Sequence, residues 1–251
     1  MVVKVLAPTR LLAEAADVLA EVRDDVVVVG AAALEVALAE QNSAVITPTR
    51  DIDVVVPVAN VAEVIARLEA ADMHRSDVDH ERSFTWIRGD LKVQLVRSFH
   101  PFPKGPAKAL PANPVFGMVA SPVHQVTIAF ADEPGEPRLH CANTACILAL
   151  KQAAFGRTRP PDSMPVERDY HDAYVLISAV PDTLLADFGR AEHEVRARGM
   201  DAIEQLAAGN EATAAAARQM VRLRVATSQR SAEATVRRAA NRARRLLAPP
   251  A

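Results

Sequence analysis

VVVVGAAALEVALAEQNSAVITPTRDIDVVV, residues 26–56, is the stretch whose reading decides the fold. Val26–Val29 is a β-branched run, short enough for a strand buried on both faces, and Gly30 ends it. Ala31–Gln41 follows at once as an alanine-rich helix with Leu34 and Leu38 on one side. Asn42–Arg50 is rich in turn residues, and Ile52–Val56 is a second buried strand, stopped by Pro57. Strand, glycine, helix, turn and strand in that order predict a mixed α/β core.

Upstream, Thr9–Arg23 spaces Leu11, Leu12, Ala15, Val18, Leu19 and Val22 at helical period. Downstream, Val61–Ala71 is helical, and Ser83–Arg88 with Leu91–Val96 flank Gly89-Asp90 as a hairpin. Proline-rich Phe99–Pro122 reads as a long irregular connection, Val126–Phe130 as a strand, and Arg138–His140 as a short further strand. Helical spacing then covers about 142–155, 166–179, 182–197, 201–208 and 211–247. No internal repeat is visible. The expected class is α/β (α+β): a small mixed sheet over residues 1–140, flanked by helices, then a C-terminal helical region over 141–251.

Half of the 251 residues are hydrophobic, enough for a sizeable core, which excludes wholesale disorder. Aromatic residues make up only 4%, which argues against a base-stacking single-strand binder. Cys141 and Cys146, read as lying in one helix, give neither a disulfide framework nor a CxxC pair. Met1–Arg10 lacks the pattern of a cleavable leader, and no apolar run of about 18 residues occurs. A cytoplasmic protein with no membrane association is therefore expected. The net charge of −2 hides a division: residues 218–251 hold nine arginines and one acid, Glu233, so residues 1–217 carry 20 basic against 30 acidic groups.

Asp51 and Asp53 sit two apart at the start of a strand, so both carboxylates face one way. Two carboxylates held together repel unless a divalent cation lies between them, which makes the pair a candidate Mg²⁺ or Mn²⁺ site. A solvated strand start, or a pair neutralised by Arg50, is the plainer alternative. About twenty residues upstream, a strand ending in glycine and followed by a helix aims free backbone N–H groups outward, as a phosphate cradle does. Gly30 serves equally well as a packing glycine between strand and helix.

Strand–Gly–x–x–Ala–Leu–helix followed by Thr49-Arg50-Asp51-Ile52-Asp53 resembles the nucleotidyltransferase superfamily related to DNA polymerase β, and within it the AbiEii/MenT-type nucleotidyltransferase toxins. Two later pieces extend the resemblance: Lys151 and Arg157 in ACILALKQAAFGR, and Arg168-Asp169-Tyr170-His171-Asp172 in RDYHDAYVLI. Together they cover roughly residues 20–180. The resemblance implies that Gly30 and the Ala31 amide, with Thr49 and Arg50, hold a nucleotide's phosphates, and that Asp51 and Asp53 bind the metal. It implies that Lys151 meets phosphate in the same pocket, assisted by Arg157 or Arg168, with Asp169 or Asp172 in the remaining acidic role. On the residues alone, Lys151 reads equally as a helix-surface lysine, and Arg168 and Asp169 as charge balance at a helix start. His171, between the two acids, reads as an exposed helix residue, and the seven histidines show no metal-ligand spacing.

Two departures from the superfamily pattern stand out. Ala31 replaces the usual Gly or Ser of the phosphate turn, and Gln94 occupies the hairpin position where a third carboxylate is expected. Either the base lies elsewhere, with Asp79, Glu81 and Asp90 as candidates, or activity is reduced, or the chemistry needs two carboxylates only. The implied activity is transfer of NMP from an NTP to an RNA end such as the tRNA 3′ end, with a cognate antitoxin as a further partner. A small-molecule acceptor, as in antibiotic-modifying relatives, is the second reading. A catalytically degenerate fold that binds a nucleotide or a partner is the third. The arginines from Arg218 to Arg245 fan over more than half the circumference of a helix. That spread speaks against a simple bundle helix and suits RNA phosphates, an acidic partner, the chain's own acidic body, or a solvated terminus.

Overall fold

The computed structural model describes residues 2–4, 10–39, 51–56, 60–78, 84–97, 114–129, 138–155 and 167–247. They form two compact units, one drawn from Met1–Val36 and Pro48–Asn143, the other from Ala37–Thr47 and Thr144–Ala251. The class is mixed α/β with a C-terminal set of helices, as the sequence predicts.

In the first unit the elements run β1 (Val2–Lys4), α1 (Arg10–Leu19), β2 (Val27–Val29), α2 (Gly30–Leu38), β3 (Ile52–Val56), α3 (Val61–Ala70), β4 (His74–Arg75), β5 (Thr85–Arg88), β6 (Leu91–Arg97), α4 (Pro114–Met118), β7 (Gln125–Ala129) and β8 (Arg138–Ala142). The strands join in one sheet in the order β1-β7-β8-β2-β3-β6-β5-β4. It is mixed: β1/β7, β8/β2 and β3/β6 are parallel, and the remaining neighbours antiparallel. The all-valine β2 and the run Val54–Val56 are buried, as expected of central strands. Helix α1 packs against β3, β6 and β8, burying Leu12, Ala15, Ala16 and Leu19, and α3 packs beside it through Val64 and Leu68. The hairpin turns at Gly89, which takes φ +57.

The second unit is a bundle of α5 (Thr144–Ala154), α6 (Glu167–Ala179), α7 (Pro181–Arg190), α8 (His193–Ala207), α9 (Glu211–Arg222) and α10 (Gln229–Leu247). Its core is rich in alanine, with Ala202, Ala215, Ala216, Ala232 and Ala240 buried between helices that approach closely.

Several boundaries differ from the sequence reading. Strands β1 and β4 and helix α4 were not expected; α4 falls within the stretch read as an irregular connection. Cys141 lies in β8 while Cys146 lies in α5, so the two do not share a helix. The break expected near residue 200 lies instead at Ala191–Glu192. Gly199 stays inside α8 because the Phe188 ring occupies the place its Cβ would take. The single helix expected over 211–247 is two. Helix α9 ends in a Schellman motif: Val225 N–H bonds to Met220 C=O at 2.9 Å and Arg224 N–H to Val221 C=O at 3.0 Å, with Arg224 left-handed at φ 59. Glycine ordinarily marks such a stop, and an arginine hides it.

Candidate functional site

Two groups of residues singled out by the sequence take form, one in each unit. In the first unit the strand-to-helix turn is made by Gly30 at φ +68, a conformation that an L side chain adopts only under strain. A Cβ at Gly30 would lie 2.5 Å from Asp53 Oδ2, so the missing side chain is what lets the Asp53 carboxylate lie beside the start of α2. Register explains the approach: Asp53 is the antiparallel partner of Val29 and the parallel partner of Gln94, which is in turn the antiparallel partner of Thr85. Residues in lateral register share a face of the sheet, so Asp53, Gln94 and Thr85 form one row running from the turn. Ile52 and Val54 are fully buried whereas Asp51 and Asp53 are half-buried, the alternation expected of a strand start with one wetter side.

Gln94 therefore stands directly beside Asp53, where a third carboxylate would complete an acidic set. Two carboxylates and an amide oxygen are hard donors and suit Mg²⁺ or Mn²⁺. No group of three or more His, Cys, Asp or Glu side chains placed to share a metal ion occurs among the described residues. Thr49, Arg50, Asp79 and Glu81 lie outside the described residues. Asp90 is exposed at the hairpin tip.

The second group is ionic and buried. Lys151, on α5, donates from Nζ to Asp169 Oδ1 at 3.1 Å and to Asp172 Oδ2 at 2.6 Å, both on the first turns of α6. Arg168 Nε stands 3.8 Å from the same Asp172 oxygen. Lys151, Arg168, Asp169 and Asp172 are each less than 10% exposed, so Lys151 is no surface lysine. Burial alone would drive Lys151 toward its neutral form; the charges and hydrogen bonds of Asp172 and Asp169 outweigh it and hold the ammonium above the ordinary lysine value. Arg157 lies outside the described residues.

The structure also corrects the reading of His171. It is fully buried, not exposed, and neither ring nitrogen has a hydrogen-bond partner among the described residues. Burial holds the imidazole below its ordinary value of 6.5; neighbouring Asp172 opposes that shift, and the charges of Arg168 and Lys151 add to it. Asp187, on α7, was not singled out by the sequence reading. Completely buried, it accepts from Thr144 N at 3.0 Å and Thr144 Oγ1 at 2.6 Å, anchoring the start of the helix that carries Lys151, and it pairs with Arg190 at 2.7 Å. No local pattern reports a cap supplied from 43 residues away.

What these residues define is a mixed α/β protein with an acid-lined strand-to-helix turn and a buried Lys–Asp–Asp cluster. No protein-family model, curated protein or solved structure matches the chain. No described helix is long and apolar enough to cross a membrane.

Proposed function

We propose that the protein is a metal-dependent nucleotidyltransferase that moves NMP from an NTP to a hydroxyl of an RNA end such as that of tRNA. The observation that carries this reading is the Gly30–Asp53 approach. A left-handed glycine at a strand-to-helix turn leaves backbone N–H groups to receive phosphate, and a carboxylate pair begins the neighbouring strand. Asp51 and Asp53 would hold Mg²⁺ or Mn²⁺, with Gln94 as a neutral third donor; the ion supplies charge neutralisation to the triphosphate. Gly30 and Ala31 bind phosphate through their amides. In the second unit Lys151 is kept charged by Asp169 and Asp172, with Arg168 beside it. In the transfer, the acceptor hydroxyl oxygen bonds to the α-phosphorus while the bond to the bridging oxygen breaks. Pyrophosphate leaves, and the hydroxyl proton passes to water.

The test is label transfer from each α-labelled NTP, with Mg²⁺ or Mn²⁺, to tRNA and to small hydroxylated acceptors. Labelled RNA that disappears with Asp53→Asn supports the proposal. Labelling of small molecules alone would move the acceptor to the antibiotic type. A specific observation favours one further reading: Gln94 beside Asp53 leaves the acidic set short of a charge, as in a fold that binds nucleotide without turnover. Nucleotide binding without transfer of label to any acceptor would select it. Co-purification of a small partner protein from the native host would support an antitoxin.

A further inference from the structure

The nine arginines of the C-terminal stretch do not behave alike. Arg218 pairs with Glu167 and Glu211, and Arg244 with Glu204, so these two are engaged within the bundle. Helix α10 is a bundle helix, contrary to the reading from its arginines: Ala232, Val236, Ala240 and Ala243 make a narrow buried stripe toward α6, α8 and α9. That stripe went unseen because three of its four members are alanines. On the opposite side, Ala234, Arg237, Arg238, Asn241, Arg242 and Arg245 line one shallow exposed groove. At about 100° and 1.5 Å per residue, these positions span about 140° of circumference and about 16 Å of length, centred opposite the buried stripe. None of the four arginines makes an ion pair with a described residue; Arg238 donates only to the Thr235 hydroxyl at 3.0 Å. Glu233, the one acid of this stretch, points off the face and accepts from Gln229.

We infer that this face of α10 is a docking surface for the phosphate backbone of nucleic acid. The chemistry separates that partner from two others. A protein interface is built around aromatic or aliphatic anchors with charge depleted at its centre, and this groove offers alanine, asparagine and four guanidinium groups. Insertion into a membrane would use the apolar side of an amphipathic helix, and here that side is buried in the bundle. Arginine forks match phosphate oxygens two at a time, and a linear row of them matches a linear polyanion. The inference does not rest on the transfer reaction and is measured without nucleotide or metal.

The experiment is fluorescence anisotropy of the full chain with single-stranded RNA, duplex RNA and duplex DNA. Poly-glutamate of matched charge is the control, and the single- and double-stranded arms identify the form preferred. With four phosphate contacts, affinity should fall with a log–log salt slope of about −2.8 to −3.6, or roughly 50- to 150-fold between 50 and 200 mM. Substituting Arg238→Gln, Arg242→Gln and Arg245→Gln together should bring the slope to about −1. All three side chains are exposed, so circular dichroism should show an unchanged helical signal. Asp53→Asn should bind nucleic acid as the wild type does, whether or not it loses transfer. An unchanged affinity and slope in the triple variant, or poly-glutamate binding as tightly as nucleic acid, would overturn the inference.

Discussion

Replacing Lys151 by methionine nearly keeps the volume of the side chain and removes the ammonium, with its charge and its donors. Asp169 and Asp172 then remain buried with the ammonium that each now touches, at 3.1 and 2.6 Å, taken away. Removing one partner of a buried ion pair costs about 3–5 kcal/mol, because the other charge stays desolvated. Arg168, 3.8 Å from Asp172 Oδ2, supplies part of the missing charge, which places the expected loss near the lower end, about 3 kcal/mol at neutral pH. Acid should reduce that loss, since a proton shared by two facing carboxylates does part of the work of the lysine. In the wild type the sign runs the other way. Lys151 is held above its ordinary value of 10.5, so its contribution is complete below that pH and is lost only as pH rises through the folded-state value.

Urea unfolding followed by far-UV circular dichroism measures this, because the helical signal follows the bundle. Fluorescence of Trp86, the only tryptophan, follows the sheet unit and should change little. A double-mutant cycle with Asp172→Asn should show a coupling of about 1–3 kcal/mol. A loss for Lys151→Met below about 1 kcal/mol, or one that is the same at pH 5 and pH 8, would refute the argument that this cluster is a mutually dependent buried unit.

Asp51→Asn or Asp53→Asn should abolish nucleotide transfer with little change in urea midpoint, since each relieves repulsion in the apo pair; full transfer by either variant sinks the metal role. Gly30→Ala should destabilise the sheet unit by about 1–3 kcal/mol, read by Trp86 fluorescence, because it combines left-handed strain with displacement of Asp53 Oδ2. Gln94→Asp should tighten Mg²⁺ or Mn²⁺ binding in calorimetry, and the gain should vanish in the background of Asp53→Asn. His171 titrates below 6.5 when folded, so its contribution to stability is present above that pH and falls as pH drops toward the folded-state value; His171→Leu should flatten this limb of the stability–pH curve.

How far the sequence could be read depended on whether the deciding interaction was local. The valine runs of β2 and β3 and the glycine between them announce themselves, because strands buried on both faces read as near-continuous apolar runs and this strand-to-helix turn takes a positive φ that suits glycine. The i, i+3 spacing of Asp169 and Asp172 likewise placed both on the side of α6 that meets Lys151. Burial of His171 was not legible: flanked by Tyr170 and Asp172, it carries no local sign of which side of the helix the bundle covers. Nor was Asp187, whose partner Thr144 lies in another helix. Strand β1 has only three residues, and its definition comes from pairing with β7 more than a hundred positions later.

The split between α9 and α10 shows how one concealed signal changes a functional reading. As a single helix over 211–247, the arginines keep one phase and fan around most of the circumference, which suggests a tail without an inner side. The left-handed Arg224 resets that phase. Taken without the arginines of α9, α10 shows its alanine stripe at one side and Arg237, Arg238, Arg242 and Arg245 at the other. The same break leaves Arg218 on α9, within reach of Glu167 and Glu211, where it serves the bundle and not a partner. Replacing Arg224 by glycine should relieve the left-handed strain and stabilise the bundle by about 0.5–1 kcal/mol in urea, read by circular dichroism. The same substitution should leave nucleic-acid affinity unchanged apart from the loss of one distant charge. A destabilising Arg224→Gly would mean that the arginine side chain, and not the backbone geometry, holds the junction.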